Sequence, residues 1–203
     1  MSSYELVYYN SRGYAEPIRI LFNLSGIEFK DTRLAAGTPE FAAALKRSPG
    51  GCLPSLVLDG NRVVCQSLAI TRYVASLTDY KGRTAEDTLY VNMFIETLYD
   101  LIARYDEVVK EKDQNIKAKK KEGAYESYFP VYLSKLEKML SAQSGPFILG
   151  DRMTWGDIVI MSFLELKQNP EYGRADLLSN FPKLAAQYRG VIEEPGVKRW
   201  SQL

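Results

Sequence analysis

The 203-residue chain contains no histidine. That absence removes imidazole bases, Ser-His-Asp triads and most zinc sites at once. Any chemistry must run through tyrosine, carboxylate, serine, lysine, cysteine or a cofactor, and no metal site is expected. Cysteine is almost as scarce. Cys52 and Cys65 are the only two, too few for a disulfide framework and not spaced as Cys-x-x-Cys. No apolar run approaches the roughly 20 residues of a membrane span, so no membrane partner is expected. The opening Met-Ser-Ser-Tyr-Glu lacks a basic stretch followed by an apolar one, which makes the cytoplasm the expected address. A dominant charge is missing too: 26 Lys and Arg face 25 Asp and Glu, for a net charge of +1. No basic field recruits nucleic acid, and the run Lys117, Lys119, Lys120 and Lys121 reads as a solvated helix end.

What is present is ordinary globular material, 46% apolar and 25% charged, enough for one large domain or two small ones. The most informative stretch runs from Cys52 to Val74. Two apolar runs flank Asp59-Gly60-Asn61, a hairpin signal. A helix follows, with Ser67 as its expected N-cap and Ile70, Tyr73, Val74 and Leu77 on one face. The first amides of such a helix lack intrahelical partners, which makes Gln66 and Ser67 a candidate anion site. Leu53-Pro54 enters the first strand, at a position where proline is tolerated. By pattern alone the stretch reads equally well as a plain hairpin packed on a helix.

Taken in order, Leu6-Val7-Tyr8-Tyr9 reads as a buried strand. A helix is expected from about Ala15, with Pro17 in its first turn and Gly26 closing it. Ile27 and Phe29 alternate with polar neighbours and predict a second strand, followed by a loop over Leu34–Thr38. Pro39 opens a short helix through Lys46. The order β-α-β-α-β-β-α within about eighty residues, counted along the sequence, predicts a βαβ unit followed by a hairpin and helix. Asp79–Thr84 reads as a linker. No strand signal follows it. Leu89, Met93, Leu98, Leu101, Ile102 and Tyr105 lie on one long helix expected to reach about Lys112. A second long helix carries Tyr125, Tyr128, Phe129, Tyr132, Leu133, Leu136 and Leu140. Thr154 and Asp157 form a capping box, with Met153 and Ile158 as its hydrophobic staple. Short helices are expected after Phe181-Pro182 and around Val197–Trp200. Cys65 reads as core.

The run Tyr8-Tyr9-Asn-Ser-Arg12-Gly13-Tyr-Ala-Glu16-Pro17-Ile-Arg19, then Leu53-Pro54, then Gln66-Ser67-Leu-Ala-Ile-Thr-Arg-Tyr73, resembles the signature of tyrosine-type cytosolic glutathione transferases. The likeness covers nearly the whole chain. It implies an α/β thioredoxin-like glutathione-binding domain over 1–79 and an all-α helical domain over 85–203 that contributes the electrophile pocket. It also implies a homodimer that activates glutathione, as co-substrate, to a thiolate and adds it to hydrophobic electrophiles. Isomerisation of a prostaglandin endoperoxide is a further implied reaction. The alternative is a non-catalytic carrier or S-crystallin-like protein on the same fold.

By this resemblance Tyr8 is the catalytic residue, its hydroxyl holding the glutathione sulfur as thiolate; Ser11 is the sole candidate for a serine-type site. Leu53 and Pro54 would pair with the cysteinyl backbone, Gln66 and Ser67 would hold the γ-glutamyl carboxylate, and Asp100 would reach the γ-glutamyl amine from the neighbouring subunit. Phe41, Lys46 and Cys52 occupy the remaining glutathione-binding positions. Phe41 stands where the family has a tryptophan, and it carries no donor. Leu45 takes the place of the family's lysine, with Lys46 one position on. Tyr9, Arg12, Gly13, Tyr14, Ile102 and Tyr105 fall on the electrophile pocket. Asn10 and the Gln66–Ile70 run look sigma-like; the Glu16–Arg19 run and Met93-Phe94 look pi-like, as in nematode enzymes. A sigma-like class is the expectation.

Overall fold

The structure, a computed structural model, describes residues 3–169 and 173–200. The remaining positions of the expected domain bounds, 1, 2, 170–172 and 201–203, lie outside the described ones. The chain packs as two compact units. The first comprises β1 (Tyr4–Tyr9), a 3-10 turn (Gly13–Ala15), α1 (Glu16–Leu24), β2 (Lys30–Leu34), α2 (Pro39–Arg47), β3 (Ser55–Leu58), β4 (Arg62–Cys65) and α3 (Ser67–Ser76). The second, Gly82–Val191, holds α4 (Ala85–Lys110), α5 (Gln114–Glu126), α6 (Tyr128–Ser141) and α7 (Trp155–Gln168), and most of α8 (Pro182–Glu193). The segment from Ile192, which carries α9 (Pro195–Trp200), rejoins the first unit, where α9 packs on α1.

Among the described residues the first unit has one sheet of order β2-β1-β3-β4, with β1 parallel to β2 and antiparallel to β3. The central strands carry the continuous apolar runs, and Leu6 and Leu56 are fully buried. This is what strands enclosed on both sides require. The second strand departs from expectation. It begins at Lys30, where the apolar alternation stops, and runs through Asp31, Thr32 and Arg33. As an edge strand it needs no apolar period. Its side chains are held by polar partners instead: Thr32 donates to Glu5 at 2.6 Å and Asp31 accepts from Arg19. Phe29 stacks on Phe22 at 4.6 Å, outside the strand. Leu34 ends β2 and does not belong to the following loop.

The β3–β4 hairpin turns at Asp59 and Gly60, both with positive φ (49° and 76°), as such turns require. Pro54 follows a cis peptide bond and leads into β3. The start of α3 is also corrected: Gln66 is the cap, with φ 77° and ψ 107°, and Ser67 is the first helical residue. Ile70, Thr71, Val74 and Ala75 form the buried face, whereas Tyr73 and Leu77 are exposed.

In the second unit α4 packs on α5, α6 and α7. It starts at a capping box, Thr84 with Asp87, that sequence reading passed over. The buried face of α4 is Val91, Phe94, Ile95, Leu98, Leu101, Tyr105 and Val108, while Leu89 and Met93 are exposed. The expected second long helix is two helices, because the backbone breaks at Ser127 (φ −105°, ψ −77°). The apolar stripe survives the break: Tyr125, Phe129, Tyr132, Leu133, Leu136 and Leu140 are all buried. The α7 capping box is present as expected, with both Met153 and Ile158 buried.

Candidate functional site

Strand alternation at the end of β1 sends Tyr8 inward and Tyr9 outward, 6% and 36% exposed. The chain then turns into the 3-10 segment at Gly13, whose φ is +42°. A Cβ there would stand 2.7 Å from the Tyr8 hydroxyl oxygen. Glycine is therefore needed twice over, for the left-handed backbone and for the close approach. The approach brings the Tyr14 N–H to the Tyr8 hydroxyl, to which it donates at 3.3 Å. Among the described residues the hydroxyl proton has no acceptor. Burial pushes the Tyr8 phenol above its ordinary value, against the opposing pull of the Tyr14 amide and Arg19. The side chain is thus a neutral donor at physiological pH and not a base.

Tyr9 packs edge-on to Tyr8 at 5.1 Å and lies 4.9 Å from Phe41. Phe41 sits in the first turn of α2, where its N–H donates to the Thr38 N-cap at 3.2 Å. Tyr8, Tyr9, Gly13, Tyr14 and Phe41 are thereby brought together. Lys46 lies exposed at the other end of α2. On the hairpin side, the Leu53 amide and carbonyl pair with no other described residue, which leaves them open to an added strand. The Cys52 carbonyl accepts from the Ser48 hydroxyl at 2.7 Å, and burial, with the neighbouring Cys65, pushes the Cys52 thiol above its ordinary value. Gln66 is exposed at the head of α3. Cys65 is half-buried, not core as expected, because β4 is the other edge of the sheet.

The remaining predicted residues lie on α4, in the second unit. Asp100 is exposed and forms no ion pair among the described residues. Ile102 is half-buried. Tyr105 is buried against Phe129 and Tyr125, with the Lys167 ammonium 3.9 Å from its ring centroid.

Two family models match the chain: the N-terminal domain of glutathione S-transferases over residues 12–77 and their C-terminal domain over 99–202. The chain belongs to the glutathione S-transferase family. It is similar to glutathione S-transferase 3 of Caenorhabditis elegans, 31% identical over 98% of this chain and 96% of that one. It is likewise similar to S-crystallin SL11 of Nototodarus sloanii, 32% identical over 97% and 94%. Among solved structures, prostaglandin synthase D of Nilaparvata lugens superposes with a TM-score of 0.88 at 26% identity, covering 98% of this chain and 97% of that one.

Beneath the tyrosine of this transferase lies a buried charged node that sequence reasoning missed. Arg19 is fully buried. Its Nη1 donates to the Ser11 carbonyl at 2.8 Å, the Arg12 carbonyl at 3.3 Å and Glu16 at 3.2 Å, and its Nε to both Asp31 oxygens at 3.1 Å. Its guanidinium carbon stands 5.9 Å from the Tyr8 ring centroid. Glu16 also accepts from Arg12 at 3.1 Å and from the Trp200 indole at 2.8 Å. Arg19 thus holds the turn whose Tyr14 amide meets the Tyr8 hydroxyl. The available signal was Glu16 and Arg19 at i, i+3 on an otherwise apolar helix.

Proposed function

We propose that this transferase binds glutathione against Leu53, Gln66 and Ser67 and activates it with Tyr8. The observation that carries the reading is the Tyr8 hydroxyl, buried, neutral and with its proton unclaimed beside the Gly13 turn. A thiol of pKa about 8.5 is only a few per cent ionised near neutrality, so each tenfold gain in thiolate needs about 1.4 kcal/mol of preferential stabilisation. A neutral hydroxyl aimed at the sulfur supplies part of it, and the buried Arg19 cation near the ring adds a favourable field. The thiolate then attacks the electrophile, and the leaving group departs with the electron pair of the broken bond. Tyr8→Phe should lower turnover with glutathione and an aryl halide at least tenfold while glutathione affinity stays within a few-fold. Unchanged turnover would sink the assignment.

The reading extends to a homodimer in the cytoplasm. Supporting it, α4 exposes Leu89, Tyr90 and Met93, an apolar face unusual for a solvated helix, and the exposed Asp100 carboxylate on the same helix forms no ion pair among the described residues. We assign that carboxylate to the γ-glutamyl amine of the partner's glutathione. Charge-assisted bonds of this kind contribute about 1.5–3 kcal/mol, so Asp100→Ala should weaken binding by roughly tenfold to a hundredfold. A mixed dimer of one Ser67→Ala subunit and one Asp100→Ala subunit separates trans from cis action. A trans contact damages one site twice and spares the other, leaving about half of wild-type activity at limiting glutathione. Activity no better than that of the mutant homodimers refutes it. Tyr9, Arg12, Gly13, Tyr14, Ile102 and Tyr105 are the proposed electrophile-site residues. The class is read as sigma-like from Asn10 and the Gln66–Ile70 run, with prostaglandin endoperoxide isomerisation as a proposed reaction in view of the Nilaparvata lugens neighbour.

A second reading is favoured by one observation. Phe41 offers no donor to the glycyl carboxylate and its ring is packed on Tyr9, as a protein of this fold with weakened glutathione binding would tolerate. A non-catalytic, S-crystallin-like role then follows. Measurable turnover with a generic aryl halide excludes it.

A further inference from the structure

The two cysteines of this chain are thirteen positions apart in sequence and adjacent in space. Cys52 ends the Ser48–Gly51 turn; Cys65 ends β4, opposite Ser55. Both sulfurs lie over Gly50. A Cβ on that glycine would stand 2.8 Å from the Cys65 sulfur and 3.3 Å from the Cys52 sulfur. The missing side chain is the space the pair occupies. Both cysteines are free and half-buried, and the turn over them is exposed. Each immediately precedes a residue of the proposed glutathione site: Cys52 precedes Leu53 and Cys65 precedes Gln66. Gln66 is itself held in positive φ.

We propose that Cys52 and Cys65 form a thiol–disulfide exchange site whose oxidant is glutathione disulfide. One protein thiolate attacks a sulfur of the bound disulfide; a protein–glutathione S–S bond forms, the glutathione S–S bond breaks, and one glutathione thiolate leaves. The neighbouring protein thiolate then displaces the second glutathione and closes the Cys52–Cys65 bond. The protein pair loses two electrons, glutathione disulfide gains them, and the two thiol protons end on the two released glutathione molecules. Intramolecular closure is fast when the second thiol is already in contact with the first. Closure pulls on the backbone that leads directly into Leu53 and Gln66, so the oxidised transferase binds glutathione less tightly. The identity of the oxidant rests on the proposed glutathione site; the pairing of the two sulfurs does not.

The test is to expose the reduced full-length protein to millimolar glutathione disulfide, trap thiols with an alkylating reagent and map peptides by mass spectrometry. The expected result is a Cys52–Cys65 cross-link, two glutathione molecules released per chain and no lasting mixed disulfide. Cys65→Ser should instead retain glutathione on Cys52, or Cys52→Ser on Cys65. Calorimetry on the cross-linked protein should show glutathione affinity reduced at least fivefold and restored by dithiothreitol. Two alkylated cysteines, or a stable mixed disulfide in the wild type, would overturn the proposal. A parallel exposure to cystamine, which lacks the γ-glutamyl and glycyl groups, separates the two layers of the inference. Cross-linking by both disulfides in a protein that fails to bind reduced glutathione refutes the glutathione-site reading and the assigned oxidant, while the pair stands. No cross-linking by either refutes the pair even where glutathione binds.

Discussion

Each unit of this transferase buries a charged side chain completely, and the two are partnered in opposite ways. In the first unit the Arg19 guanidinium is met by full charges, Glu16 and Asp31, and by the carbonyls of Ser11 and Arg12. In the second, the fully buried Asp157 is met only by neutral donors: the Ile148 N–H at 2.9 Å, the Thr154 N–H and hydroxyl at 2.8 Å, and the Gln187 amide at 3.3 Å. Burial pushes the Asp157 carboxyl up to about 6, although those hydrogen bonds pull it down. A carboxylate surrounded by neutral dipoles can resolve its burial by taking a proton; an arginine cannot shed one, so it must be paired. The difference matches the work of each unit. The charged node lies beside Tyr8, where the proposed site would hold a negative sulfur. The neutral node joins the α7 cap to α8 and leaves no fixed charge behind when protonated.

Removing the cation should have the largest effect. Arg19→Met strips the buried Glu16 of its buried cation, leaving it the half-exposed Arg12 and the Trp200 indole, and frees the Ser11–Arg12 turn, at a loss of about 3–5 kcal/mol in chemical unfolding. Turnover should fall with it at temperatures where the variant stays folded. A loss under 1 kcal/mol would mean that the node is solvated and the comparison void. Asp157→Ala comes next, leaving the Ile148 and Thr154 amides and the Gln187 side chain without an acceptor, for about 3 kcal/mol.

Asp157→Asn sharpens the contrast through pH. The folded state holds the Asp157 proton more tightly than the unfolded chain, where 3.8 is the ordinary value. Its contribution to stability is therefore complete below 3.8 and is lost as pH rises to about 6. Over that window the wild type should lose about 3 kcal/mol relative to the Asn variant. A difference that stays constant across the window would show the carboxyl ionised throughout and remove the distinction between the nodes. Trp200→Phe should have the smallest effect. It deletes one of several donors to Glu16, at about 1 kcal/mol, and a thermal melt that moves by more would mean that α9 contributes to the node beyond this single bond.

How much of this was legible in sequence varies by element. The start of α7, the hairpin turn and the closure of α1 at Gly26 were readable because caps and turns are set by a few adjacent residues. Tyr8 could be chosen over Tyr9 because strand alternation and its register with Gly13 act over the same short range. The second strand was misplaced for a complementary reason. Apolar periodicity reports burial, and an edge strand built of Lys, Asp, Thr and Arg has little to report. The break at Ser127 escaped because the apolar stripe runs on through it, with Tyr125 and Phe129 stacked at 4.3 Å across the interruption.

The sequence by itself determined the order of the first unit's elements, the family, and local signals such as the α7 capping box, the hairpin turn and the closure of α1. It did so because each rests on spacing within a turn or two of chain. Tertiary structure alone decided that β2 lies at an edge, that Gln66 takes a left-handed backbone, that Cys52 meets Cys65 over Gly50, and that Arg19 bonds Asp31. It alone carried the Trp200 indole to Glu16, 184 positions away. No local pattern encodes such meetings. They are settled when the sheet and helices close on one another and each buried polar group must find whatever partner the closure has brought within reach.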